Sequence, residues 1–125
     1  MIDVEPLAVK TRPRCLQDIV GNEESVNVIQ GMFNSRRVIK TWLFCGPTGS
    51  GKTTTARMLA MTLNCQDLSD DNRPCLKCES CKAALNNSHP DIHELNCGGE
   101  EGKVEAIRKV VEYTRFKPRY NFRVI

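Results

Sequence analysis

Two rhythms of apolar residues run along the chain. After Asn22, the residues Val26, Ile29 and Phe33, with Val28 and Met32 beside them, recur at three- and four-residue intervals and predict a helix with a wide buried stripe. Asn22 stands at the capping position, and Glu23 and Glu24 suit the positive end of the helix dipole. Ala56, Leu59, Ala60 and Leu63 repeat the pattern from residue 52 to about 64. A short helix ending near residue 86, and a longer one marked by Val104, Ile107, Val111 and Thr114 and closed by Pro118, complete the helical set.

Residues 41–45, 91–95 and 122–125 lack that period and read as strands. The first is a short apolar run stopped by Gly46-Pro47, as expected of a strand buried in a parallel sheet. Strand, helix, strand, helix, strand predicts an α/β fold: a parallel sheet with flanking helices, provided the crossovers are right-handed. Two stretches stand outside it. Residues 1–22 read as an extended, proline-punctuated arm, and residues 65–82 as a polar insertion carrying four cysteines.

At 125 residues, 40% hydrophobic and 26% charged, the chain has the composition of one globular unit with one core. No apolar run approaches the roughly 18 to 20 residues that span a bilayer, and Met1-Ile2-Asp3-Val4-Glu5-Pro6 lacks the features of a signal peptide. A cytoplasmic protein without a membrane partner is expected. The net charge of +3 is unevenly spread: from Lys103 onward there are seven Lys or Arg against two Glu. That basic strip reads either as a solvated helix face or as a phosphate or DNA contact.

Gly46-Pro47-Thr48-Gly49-Ser50-Gly51-Lys52-Thr53 matches G-x-x-x-x-G-K-[ST] between a predicted strand and a predicted helix, the context in which that string binds phosphate. Glycines at 49 and 51 let backbone N–H groups approach phosphate oxygens, and the following helix adds its positive end. Lys52 is placed to bridge the β and γ phosphates and Thr53 to hold Mg²⁺. No Asn-Lys-x-Asp string for reading guanine occurs, so ATP is favoured over GTP.

Seven cysteines form an odd set, which suits a disulfide framework poorly. Cys65, Cys75, Cys78 and Cys81 are spaced C-x₉-C-x₂-C-x₂-C, and four such thiolates suit a closed structural zinc site. An iron–sulfur cluster is the competing reading, although the ferredoxin run continues to a Cys-Pro that is missing here. Cys15, Cys45 and Cys97 read as small buried hydrophobes, and His89 and His93 as structural.

With these residues in view, the chain resembles the N-terminal ATP-binding segment of the gamma/tau subunit of the bacterial DNA polymerase III clamp loader, an AAA+ protein. The resemblance rests on Leu7-Ala8-Val9-Lys10-Thr11-Arg12-Pro13, Asp18-Ile19-Val20-Gly21-Asn22-Glu23, residues 44–60, Leu63-Asn64-Cys65, Pro74-Cys75 through Cys81, and His89-Pro90-Asp91. It implies an AAA+ parallel sheet carrying a four-cysteine zinc insertion at 65–82, with residues 1–125 as the N-terminal part of the ATP-binding domain. It implies ATP and Mg²⁺ on residues 46–53, zinc on the four cysteines, and Arg12, Pro13, Val20 and Gly21 around the adenine. The implied partners are other clamp-loader subunits, the sliding clamp and, through them, primed DNA.

In that family an Asp-Glu pair follows the strand that matches residues 120–125, and no such string occurs here. The sheet is therefore expected to be incomplete at this end, hydrolysis poor, no residue of the chain catalytic, and a C-terminal half on another chain possible. A non-catalytic adaptor that binds ATP and zinc and docks onto replication proteins is the alternative function. A P-loop kinase with a zinc-stabilised lid is a third.

Overall fold

Helix packing in this protein is organised around one central element. The computed structural model describes Pro13, residues 15–67, Ser69 and residues 73–125. It contains a 3₁₀ turn at Leu16–Asp18 and four helices: α1 (Glu23–Asn34), α2 (Lys52–Asn64), α3 (Glu79–Leu85) and α4 (Glu100–Thr114). Helix α2 packs against α3 on one side and the 3₁₀ turn on another. Leu59 and Ala60 of its predicted stripe are buried, Ala56 and Leu63 are half-buried, and Met58, Met61 and Thr62 are buried as well. The helix is thus wrapped on more sides than its stripe requires. Leu16, Ile29 and Met32 from the preceding elements and Cys65 and Cys81 from the cysteine module close the core around it. Each such aliphatic side chain contributes roughly 1.5–3 kcal/mol by leaving water.

Helix α1 starts as predicted but is not capped as predicted. Gly21 and Asn22 both take left-handed backbone angles, at φ 80° and 53°, and turn the chain sharply into the helix. The Asn22 side chain makes no cap hydrogen bond. Its amide instead donates to the Ser50 carbonyl at 3.0 Å.

The sheet expectation is corrected. Among the described residues there is one parallel bridge, Ile92 with Val124, flanked by His93 N–H to Val124 O at 2.9 Å and Val124 N–H to Asp91 O at 2.8 Å. Two of the three expected strands thus meet in the expected direction but over a single rung. Residues 41–45 join no ladder among the described residues, and Leu43 is 87% exposed. Trp42 and Phe44 point the other way, stack with ring centroids 6.2 Å apart, and pack on the core. The alternation of a strand is present, whereas the neighbouring backbone that turns extended chain into sheet is not found among the described residues.

Helix α4 also departs from its predicted face. Val104, Ile107 and Val111 are all at least half exposed, and the buried side carries Ala106 instead, with Val110 and Tyr113 half-buried. The cause is what lies against it: the His93 ring stacks on Tyr113 at 3.7 Å, on the side away from that apolar stripe. Six of the seven basic side chains of the C-terminal strip are exposed, and Arg123 is not. No helix among the described residues is long and apolar enough to cross a membrane.

Candidate phosphate loop and metal centre

Residues 46–51 form the turn between the extended run and α2, and Lys52 and Thr53 are the first residues of the helix. Gly49 and Gly51 have φ of 81° and 87°, angles that residues with a Cβ rarely adopt. At Gly46 space is the constraint: a Cβ there would lie 2.8 Å from Ser50 Oγ. The turn closes through Ser50 N–H to Pro47 O at 3.2 Å. Thr55 fastens its end, both N–H and Oγ1 donating to Gly51 O at 2.9 and 2.8 Å. Lys52 Nζ curls back over the loop and donates to the carbonyls of Gly46 and Pro47 at 2.6 and 2.7 Å. Ser50 Oγ is buried and has no hydrogen-bond partner among the described residues.

A cleft of about 310 Å³ opens beside this turn, lined by Pro13, Asp18, Ile19 and Val20 on one wall and Gly49, Ser50, Gly51 and Thr54 on the other. Pro13 and Val20, expected near a base, therefore line the cleft. Gly21 supplies the turn behind it without lining it, and Arg12 lies outside the described residues. Asp18, Ile19 and Thr54 lie in segments that carry the family resemblance, but nothing in the sequence marks them as lining the cleft. Asn22, which reads there as a cap, is the residue that ties the two walls together.

At the other end of α2, Cys65 begins the candidate metal centre. The Sγ atoms of Cys65, Cys75, Cys78 and Cys81 all lie within 4.8 Å of one another. Four sulfurs about 2.3 Å from a tetrahedral zinc would stand roughly 3.8 Å apart, so the set fits that ion. Leu76, at φ 61°, turns the chain so that Lys77 and Cys78 N–H groups face Cys75 Sγ at 3.5 and 3.3 Å. Cys75 N–H faces Cys65 Sγ at 3.4 Å, and Cys81 N–H faces Cys78 Sγ at 3.4 Å. These donors favour thiolates. Burial pushes Cys75 up, but its N–H donors outweigh that and hold it at about 7. For Cys65 and Cys81 burial dominates, and both thiols are raised without a metal. The other three cysteines are not buried hydrophobes as expected: Cys15 is half-buried, and Cys45 and Cys97 are exposed.

His89 anchors the module rather than serving it chemically. Its Nδ1 accepts from Asp91 N–H at 3.0 Å, which leaves the proton on Nε2 for Ser80 Oγ at 2.9 Å. Burial lowers its pKa, so the neutral ring is favoured. Asp91 in turn accepts from Tyr120 N–H at 2.7 Å and pairs with Arg123 at 3.1 Å, tying the chain's last residues to this segment.

Comparison with known proteins supplies the class. Residues 21–124 match the family described as DNA polymerase III, delta subunit, and the chain belongs to it. It is similar to DNA polymerase III subunit gamma of Buchnera aphidicola, at 35% identity over 112 residues, which is 90% of this chain and 30% of that protein. It is 33% identical over 107 residues to DNA polymerase III subunit tau of Bacillus subtilis, covering 86% of this chain and 19% of that one. Protein STICHEL-like 1 of Arabidopsis thaliana is 30% identical over 109 residues, 87% of this chain and 10% of its own. The gamma/tau resemblance drawn from the sequence therefore holds, with the chain spanning less than a third of these relatives' length.

Proposed function

We propose that the chain is the ATP-binding part of a clamp-loader subunit that helps place a sliding clamp on primed DNA. The observation that carries this reading is the glycine turn at the N-terminus of α2, with Lys52 above it and a cleft beside it. A polyphosphate in the turn would take the N–H groups of Gly49 and residues 51–53 and the Ser50 hydroxyl, which has no partner among the described residues. Lys52, held now by two carbonyls, would exchange them for β and γ oxygens, and Thr53 would hold Mg²⁺. The wall formed by Pro13, Ile19 and Val20 offers apolar surface to adenine. Zinc on the four thiolates would be structural, since four sulfurs leave no position for water.

Other clamp-loader subunits, the clamp and, through them, primed DNA are the partners this reading supplies. Its test is calorimetric titration of Mg·ATP into the wild-type chain and Lys52→Ala. Charge-assisted bonds to phosphate contribute about 1.5–3 kcal/mol, so Lys52→Ala should weaken binding roughly 10- to 100-fold. Equal affinities would refute the reading.

A further inference from the structure

Asn22 makes a contact that its place in the chain does not require. A residue in front of a helix ordinarily turns its side-chain oxygen onto the first free N–H groups of that helix. Asn22 instead adopts a left-handed backbone, φ 53° and ψ 37°, right after Gly21 at φ 80°. That conformation is uncommon outside glycine, and Asn tolerates it best. The turn lets the side-chain nitrogen reach across 28 residues to the Ser50 carbonyl at 3.0 Å.

The carbonyl it holds belongs to the peptide unit that carries the Gly51 N–H. A trans peptide is planar, so its C=O and N–H point in opposite directions, and fixing one aims the other. Gly51 sits at φ 87° as the residue in front of α2, where the helix's positive end and the loop's donors coincide. Glycine backbones rotate freely, and a peptide plane flanking Gly51 would do so without a restraint. The restraint comes from the opposite wall of the cleft, since Asn22 follows Ile19, Val20 and Gly21 directly.

We infer that Asn22 is a positioning residue: its amide fixes the Ser50–Gly51 peptide so that the Gly51 N–H faces a bound polyphosphate chain. This rests on the reading of residues 46–53 as a nucleotide loop. It makes the effect of Asn22 independent of the base, because the restrained group touches phosphate. Inorganic tripolyphosphate, which has no base, is therefore the probe that separates this role from one of merely shaping the base-side wall.

The experiment titrates Mg·ATP and Mg·tripolyphosphate into the wild-type chain and Asn22→Gly, which keeps the left-handed turn while removing the amide. Loss of one oriented hydrogen bond, about 1 kcal/mol, corresponds to a roughly fivefold weakening, expected equally for both ligands. In ligand-free amide spectra the Gly51 resonance should move in Asn22→Gly and also in Asn22→Asp, which keeps the side chain's outline but offers no donor. Tripolyphosphate affinity within twofold of wild type, or a loss confined to ATP, overturns the inference. So does an unmoved Gly51 resonance in both variants. A wild-type chain that binds neither ligand overturns the nucleotide reading and this inference with it.

Discussion

Replacing Asp91 with Ala should cost the protein about 2–4 kcal/mol. The carboxylate is 1% exposed and its Arg123 partner 16% exposed, so both charges are largely out of water. Breaking a buried pair by removing one member costs roughly 3–5 kcal/mol, because the other charge is left without its counterion. Two features of the site modify that figure. Arg123 keeps the carbonyls of Tyr113, Phe116 and Lys117 as acceptors, which lowers the cost. The Tyr120 N–H loses its acceptor, which raises it again by about 1–3 kcal/mol if water does not reach it. Asp91→Asn keeps one acceptor oxygen and should lose about half as much.

The measurement is urea denaturation followed by far-ultraviolet circular dichroism, first at pH 7. Against a total stability of about 5–15 kcal/mol a loss of this size is easily resolved. The acid range supplies a second reading. Burial works against ionisation of Asp91, but the N–H groups of Tyr120 and Arg119 and the Arg123 guanidinium outweigh it and hold the carboxyl below its usual 3.8. A folded pKa below the unfolded one means the stabilisation is complete above the unfolded value and is lost as pH falls through the folded one. The advantage of wild type over Asp91→Asn should thus not fall between pH 7 and about 5, where the Asp91 charge favours protonation of His89 and His93, and should shrink below 3.8. A loss under about 1 kcal/mol for Asp91→Ala, or an advantage that fades between pH 7 and 5, would refute this account of how the last residues are pinned.

Two further predictions concern the sites. With zinc bound, a thiol reagent should modify Cys45 and Cys97 quickly and Cys15 more slowly, the other four reacting only after a chelator is added. More than three accessible thiols in the metal-loaded protein would rule out a closed four-sulfur centre. Gly46→Ala brings a Cβ to 2.8 Å from Ser50 Oγ, so the Ser50 side chain at the centre of the turn must shift; Mg·ATP affinity should fall tenfold or more while the exposed loop leaves stability within about 1 kcal/mol. Wild-type affinity in that variant would show that the cradle tolerates the shift.

What could be read from the sequence was local, and what could not was relational. The period of Ala56, Leu59, Ala60 and Leu63 lies within one helix, and the two-residue gaps from Cys75 to Cys81 lie within one turn and one helix start. Both appear where expected. Strand pairing depends on which backbone arrives alongside, and residues 41–45 alternate correctly without a ladder partner among the described residues. The apolar stripe of α4 is legible as a stripe, yet the neighbours of that helix cover Ala106 and Tyr113 instead of Val104, Ile107 and Val111. Asn22 has two good uses for one side chain, and only the position of Ser50 decides between them. Exposure of Cys45 and Cys97 was unreadable for the same reason: each adjoins a glycine and nothing in the local string says which side faces water.

Helix α2 behaves as a gauge block. The glycine turn ends at its first residue, Cys65 follows its last, and Asn64 and Cys65 also receive Phe122 N–H and the Asn121 side chain, at 2.8 and 3.5 Å. A single residue inserted between 52 and 64 would swing one end by about 100° and displace it by about 1.5 Å relative to the other. The glycine turn, the four-cysteine cluster and residues 121–122 would then no longer share an alignment, so spare length has to be absorbed between Cys65 and Cys75, outside the rod.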